Sequence, residues 1–193
     1  GGIADQLYRR DAVIGPLVPA LPQRIEDLGI AGARGNQHHG IAADDAARSG
    51  VVVAAHALCR DIFESFQFDA GFSDVSTPLT RVLAARRGVC QDFAHLAVGC
   101  LRSIGLASRY VSGYIETFPP PGKARLVGAD ASHAWCSVWT PLAGWVDFDP
   151  TNGHLPVNHH ITVAWGRDYA DVTPVRGIMI GPATSQVLDV AVD

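Results

Sequence analysis

Residues 90–105 read CQDFAHLAVGCLRSIG, and the organisation of the chain follows from them. Phe93, Leu96, Ala97, Cys100, Leu101 and Ile104 recur at the three- and four-residue spacing of a buried helical stripe, which predicts a helix over 90–104. Gly105 fits its stop, because glycine closes a helix without a Cβ penalty. Downstream the period changes, and segments 108–115, 133–140, 144–149, 160–165, 173–180 and 186–192 read as strands. Upstream, a helical stripe of Val51, Val52, Ala55, Leu58, Cys59, Ile62, Phe63 and Phe66 begins at about Asp45, with Asp44 and Asp45 where an N-cap belongs. Ser76-Thr77-Pro78 reads as a cap followed by proline at the first helical position. Leu79, Val82 and Leu83 form the apolar face, and Arg86 and Arg87 the basic end. Helices first and strands later predict an α+β domain with N-terminal helices packed on an antiparallel sheet.

Residues 1–42, rich in Gly, Pro and His, read as an irregular N-terminal arm or linker, and 43–193 as the domain proper. A formal charge of -4 makes no electrostatic case for nucleic acid or acidic membranes. No apolar run reaches the length of a membrane-spanning helix, and no charged-then-apolar leader precedes the fold. Cys59, Cys90, Cys100 and Cys136 contain no CxxC pair, so a zinc ribbon or redox dithiol is not expected; reduced thiols in a cytoplasm are. Neither a cofactor nor a metal is expected, and the sequence does not address oligomeric state.

Of the four cysteines, Cys90 has the position of a nucleophile. It follows Gly88 and opens the apolar helix, which puts its sulfur at the positive end of the helix, beside backbone N–H groups free to stabilise an oxyanion. Cys59 and Cys100 lie on apolar faces, and Cys136 alternates with Trp135 as strand core; these three read as small buried hydrophobes. Asp92 would oppose a nearby thiolate, and reads instead as a group that caps backbone amides or holds a neighbouring loop.

A thiol nucleophile needs a base, and eight histidines compete for that role. His38 and His39 lie in a polar loop, His56 within a helix, and His95 about a turn and a half past Cys90. His159 and His160 precede a strand. His133 begins the segment HAWCSVW, which a short turn over 140–144 joins to WVDFDP. Paired residues of an antiparallel hairpin lie equidistant from the turn's centre. Centred on residue 141, His133 faces Asp149 directly; centred on 142, it faces Asp149 along the diagonal. Either way both side chains share one side of the sheet, their Cβ atoms roughly 5–8 Å apart. A centre half-way between would put them on opposite faces. Asp149 can then fix the imidazole tautomer and stabilise its cation. Asp147 shares that face and is the rival acid.

Four stretches, RGVCQDFAH (87–95), LRSIGLASRYVSGY (101–114), DASHAW (130–135) and GWVDFDPTN (144–152), together resemble the bacterial transglutaminase-like superfamily in order and spacing. The resemblance runs over roughly residues 45–190 and extends to GRDYADV (166–172). It implies a papain-like α+β core with Cys90 as nucleophile, His133 as base and Asp149, rather than Asp147, as acid. Bacterial members usually carry an additional N-terminal β-rich domain; with an opening Gly1-Gly2 in place of methionine, these residues read as a fragment. No equivalent of the calcium sites of animal transglutaminases is found, so calcium dependence is not implied.

The chemistry expected of such a triad is attack of Cys90 on a peptide or protein amide, giving a thioester. Water as acceptor makes a peptidase or deamidase, and a lysine amine makes a cross-linking enzyme; the reading favours hydrolysis. Trp135, Trp139 and Trp145 could line an amine channel or simply pack the sheet. Two other classes stay open: a non-catalytic binding module on the same fold, and a metallohydrolase using Asp149 with His154, His159 and His160.

Overall fold

The computed structural model describes residues 41–116, 132–156, 158–174 and 177. Helix α1 covers Ile41–Ser65, α2 Leu79–Ala85 and α3 Cys90–Ser103. Strands β3 (Ser108–Ile115), β4 (Ser132–Thr140), β5 (Gly144–Phe148) and β6 (His160–Gly166) form one antiparallel sheet in the order β5-β4-β3-β6. Two further strands, β1 (Gln67–Phe68) and β2 (Arg87–Gly88), make a small parallel pair. Helix α3 is the centre of the domain. Every residue from Asp92 to Leu101 is buried, as expected of a helix enclosed on all sides. It packs on β4 and β3 and takes α1 and α2 against its flank. Phe93, Leu96 and Leu101 meet Leu58, Ile62 and Val82 from the other helices and Cys136, Val138 and Phe148 from the sheet in one core.

The expected α+β arrangement of helices on an antiparallel sheet is therefore the one observed. Several local expectations change. Helix α1 starts at Ile41, so Asp44 and Asp45 lie inside it, and the first predicted boundary at residues 42–43 falls within a helix. Pro78 occupies the N-cap position with extended backbone, and the helix begins at Leu79. Arg86 closes α2 in the left-handed conformation, while Arg87 already belongs to β2. Phe63 is exposed rather than buried, and its ring lies over Gly153, where a Cβ would come within 2.8 Å of it. Residues 1–40, the loop 117–122, most of the strand expected over 173–180 and all of that over 186–192 lie outside the described residues.

Gly113 decides how the sheet is assembled at the end that matters. In register it stands between His133 on β4 and Thr162 on β6. A Cβ there would meet the Ile161 carbonyl oxygen and lie 2.7 Å from Trp135 Cη2, so side chains of β4 and β6 can approach across β3 only because this residue has none. Gly113→Ala is expected to destabilise the protein by about 3 kcal/mol, as overpacking does when backbone has to move. The urea midpoint should fall at an unchanged slope; a midpoint equal to that of the unaltered chain would show that β6 can give way freely.

Candidate active site

Cys90 is the first residue of α3 and is half-buried, whereas Cys59, Cys100 and Cys136 are all buried. Val89 precedes it with extended backbone, and the helix turn is locked from within. Asp92 accepts the Val89 N–H at 2.8 Å and also the Ser73 hydroxyl, so one carboxylate fastens both the helix start and the 73 loop. Burial raises the Asp92 pKa, and those two hydrogen bonds oppose the rise. The Asp92 and Phe93 N–H groups both point to the Val89 carbonyl, at 3.0 and 3.2 Å. The N–H groups of Cys90 and Gln91, one position earlier, have no turn behind them to bond.

The candidate base and acid come from the β4–β5 hairpin. Its pairs Trp139↔Trp145, Ser137↔Asp147 and Cys136↔Phe148 centre it on Leu142. His133 and Asp149 accordingly share a face on the diagonal, and His133 Nε2 lies 2.9 Å from Asp149 Oδ2. Asp149 sits just past the end of β5 with no exposed surface, in a tight turn closed by Asp149 N–H to His154 O and Gly153 N–H to Asp149 O. The Thr151 and Asn152 N–H groups donate to Oδ1 at 2.9 and 3.1 Å, and Asn152 Nδ2 donates to Oδ2 at 2.7 Å. The rival, Asp147, instead accepts the Trp135 indole N–H at 3.0 Å.

A carboxylate only accepts, so His133 donates its Nε2–H to Asp149, which leaves Nδ1 for the sulfur of Cys90. Burial alone would depress the His133 pKa. Hydrogen bonds to Asp149 and Cys90 outweigh it and push the value up to about 9. Burial alone would raise Asp149; the donors from His133, His160 and Asn152 outweigh it and hold the carboxyl well below the usual carboxylate range. The remaining thiols are different: burial pushes Cys100 up to about 12, and Cys136, hydrogen-bonded to Cys59 and fully buried, is also raised.

Linkage turns these shifts into a stability profile. Asp149 titrates lower in the folded chain than in the unfolded one, so its contribution is complete above about pH 4 and is lost as pH falls further. His133 titrates higher when folded, so its contribution is complete below about pH 6.5 and is lost as pH rises through about 9. Thermal unfolding should therefore peak between those limits. The decline between pH 6.5 and 9 should vanish in His133→Asn; an unchanged decline would assign it elsewhere.

One residue of the site was read from sequence only as a candidate metal ligand beside Asp149. His160, the first residue of β6, places Nε2 3.0 Å from the same Asp149 Oδ2. His133, Asp149 and His160 are the group, among the described residues, whose nitrogen and oxygen atoms come close enough to hold a metal ion. Their lone pairs and protons, however, already form a hydrogen-bonded set around one carboxylate. The metal set considered from sequence does not assemble: His159 pairs with Glu116 at 3.2 Å, and His154 Nδ1 faces the Leu155 carbonyl at 3.0 Å. His95 stacks on Tyr110, with ring centroids 4.7 Å apart, and its Nε2 accepts the Tyr169 N–H. Trp135 is buried, while Trp139 and Trp145 are exposed and touch edge to face across the hairpin.

A thiol at the tip of an enclosed helix, with an imidazole and a buried carboxylate on the adjoining antiparallel sheet, defines a papain-like α+β domain with a cysteine–histidine–aspartate constellation. The chain belongs to the transglutaminase-like superfamily, whose model matches residues 41–150. It is 51% identical over 140 residues to an uncharacterized protein of Mycobacterium tuberculosis, an alignment covering 70% of this chain and 45% of that protein. The chain thus spans less than half the length of that relative. A protein-glutamine gamma-glutamyltransferase of Pseudomonas aeruginosa is 37% identical over 67 residues, 34% of this chain and 10% of that one. Among solved structures, a candidate cysteine protease from Cytophaga hutchinsonii superimposes with a TM-score of 0.53 at 22% identity, covering 79% of this chain and 45% of that one, which supports the fold. No helix among the described residues is long and apolar enough to cross a membrane.

Proposed function

We propose that the protein is a cysteine-nucleophile amide hydrolase of peptidase or deamidase type. Cys90 attacks the substrate carbonyl with its proton already on His133; the tetrahedral oxyanion is met by the Cys90 backbone N–H; collapse expels the amine, which His133 protonates; water, giving its proton to His133, then hydrolyses the thioester. Asp149 holds His133 in the tautomer that offers Nδ1 to sulfur. The observation that carries this reading is the 2.9 Å contact between His133 and the buried Asp149, with the half-buried thiol of Cys90 on a helix tip acting on the same imidazole. Its substrates are peptide or protein amides.

Transfer to a lysine amine is the second reading, and the glutamyltransferase named above favours it. Both pass through the same thioester, so the acceptor decides between them. Incubation with a glutamine peptide and a labelled amine tests the choice. Ammonia release without label supports hydrolysis, and label incorporation outrunning hydrolysis supports cross-linking. A mass increment trapped on Cys90 is expected in either case. Its absence with every peptide tried, together with Cys90 reacting with iodoacetamide no faster than a free cysteine in solution, points to a binding module.

A further inference from the structure

Asp149 Oδ2 serves two imidazoles, and only one of them has a place in the mechanism just described. His160 Nε2 is 3.0 Å from that oxygen and His133 Nε2 2.9 Å, with Asn152 Nδ2 as a third donor at 2.7 Å. The His160 side chain is 5% exposed, and its second nitrogen, Nδ1, is buried without a hydrogen-bond partner. Because the carboxylate accepts only, His160 is the tautomer with its proton on Nε2 and a bare lone pair on Nδ1. A proton added at Nδ1 would be a buried donor with no acceptor. His133, by contrast, is acted on by Cys90 as well as by Asp149. The two rings are therefore not equivalent: Cys90 acts on His133, whereas the second nitrogen of His160 meets no partner.

Support for the Asp149 orientation does not depend on His160. Two backbone N–H groups, the Asn152 amide and His133 remain when it is removed. What His160 changes is how much of the oxygen's charge is left for His133. We propose that His160 is a positioning residue acting on His133 through Asp149, its Nε2–H occupying part of the shared oxygen and so limiting how tightly the imidazolium is held. An imidazolium held less tightly is a better acid towards a departing amine. The placement is specific: β6 starts at His160, the Trp135 ring meets it edge to face at 5.1 Å between centroids, and the His133 ring stands 6.0 Å away. Among the described residues, Cys90 at the α3 tip acts on His133, and Tyr110 of β3 is acted on in turn by Cys90 and by Asp92 of α3. His154 lies in the turn after β5, its ring 5.8 Å from His160, and Asp147 is bonded to Trp135.

The inference rests on the triad reading, so its test must separate the two. Alkylation of Cys90 by iodoacetamide, followed across pH by mass, reads the thiol–imidazole pair without a substrate. In the unaltered protein the profile should depend on His133, and its disappearance in His133→Ala confirms the pair; a profile indifferent to that change sinks the triad reading itself. Given the pair, His160→Phe keeps a ring against Trp135 but removes the donor, and should move the alkaline limb upward by about half a pH unit or more. With a peptide substrate its kcat should fall about tenfold at little change in KM, a loss typical of one hydrogen bond to a charged group. His160→Gln, whose amide can reach Oδ2, should restore both. If His160→Phe does not fold, His160→Asn, whose amide falls short of Asp149, serves in its place. A limb that stays put or moves down in the donor-less variant, or a glutamine variant indistinguishable from it, overturns the proposal.

Discussion

Cys90→Ala is expected to reduce amide turnover by about 10⁴- to 10⁶-fold, the range seen when the nucleophile of a triad is removed and only binding and the oxyanion site remain. The protein should still fold, because Cys90 stands half-exposed at the start of α3 and alanine is a good helix former there. That separates it from the other cysteines. Cys100→Ala opens a void in the core and should act on stability rather than on chemistry. Ammonia release or peptide cleavage under single-turnover conditions measures the first effect, and the urea midpoint the second. Retention of even one part in a hundred of the rate by Cys90→Ala, beyond the background without protein, would move the nucleophile elsewhere.

Asp149→Asn should be nearly as damaging, for two reasons that can be told apart. Asparagine presents an amide to a site built from five donors, so at least one N–H must be left facing another. Breaking such a buried charged cluster costs about 3–5 kcal/mol of stability. Rotating the amide to suit the backbone N–H groups turns its own NH₂ toward the imidazoles, which favours the wrong His133 tautomer and lowers kcat by about 10⁴-fold. Thermal unfolding and kcat measured on the same sample report the two losses separately. A variant that is destabilised but turns over normally would strip Asp149 of its proposed part in catalysis. Asp147→Asn, by contrast, should leave kcat within a few-fold, because that carboxylate meets Trp135 and not His133.

Much of this architecture could be read from periodicity alone. The core face of α3, the strands β3 to β6 and the shared face of His133 and Asp149 all follow from three- and four-residue or two-residue spacing, because each is a period within one element or across the short β4–β5 turn. What escaped lacks such a signal. Strands β1 and β2 are two residues long and cannot display a period. The start of α1 at Ile41 follows a run without a helix-capping pattern, and the acidic pair at 44–45 drew the boundary too late. Phe63 fits a buried stripe but faces Gly153, a contact made by a turn about ninety residues on. His160 is the telling case. The sequence offers it only as a metal ligand beside Asp149, since its hydrogen bond to that carboxylate comes from β6 joining the sheet beside β3, on the far side from β5.

The hairpin centred on Leu142 has a bearing on how this site can be inherited. Phe148, Val138 and Cys136 are wholly enclosed on the helix side of the sheet, and Asp149 and His133 point from alternate positions of the same two strands. Sliding β5 by a single residue would expel Phe148 into water as it carried the acid to the wrong side. Lengthening of the turn during evolution must therefore be absorbed as a looser bend, since any descendant whose strands shifted would fail to fold before it could lose its chemistry. On the proposed triad, a lineage that has gone inert while its framework stays in step should show replacements first at Cys90, His133 or Asp149.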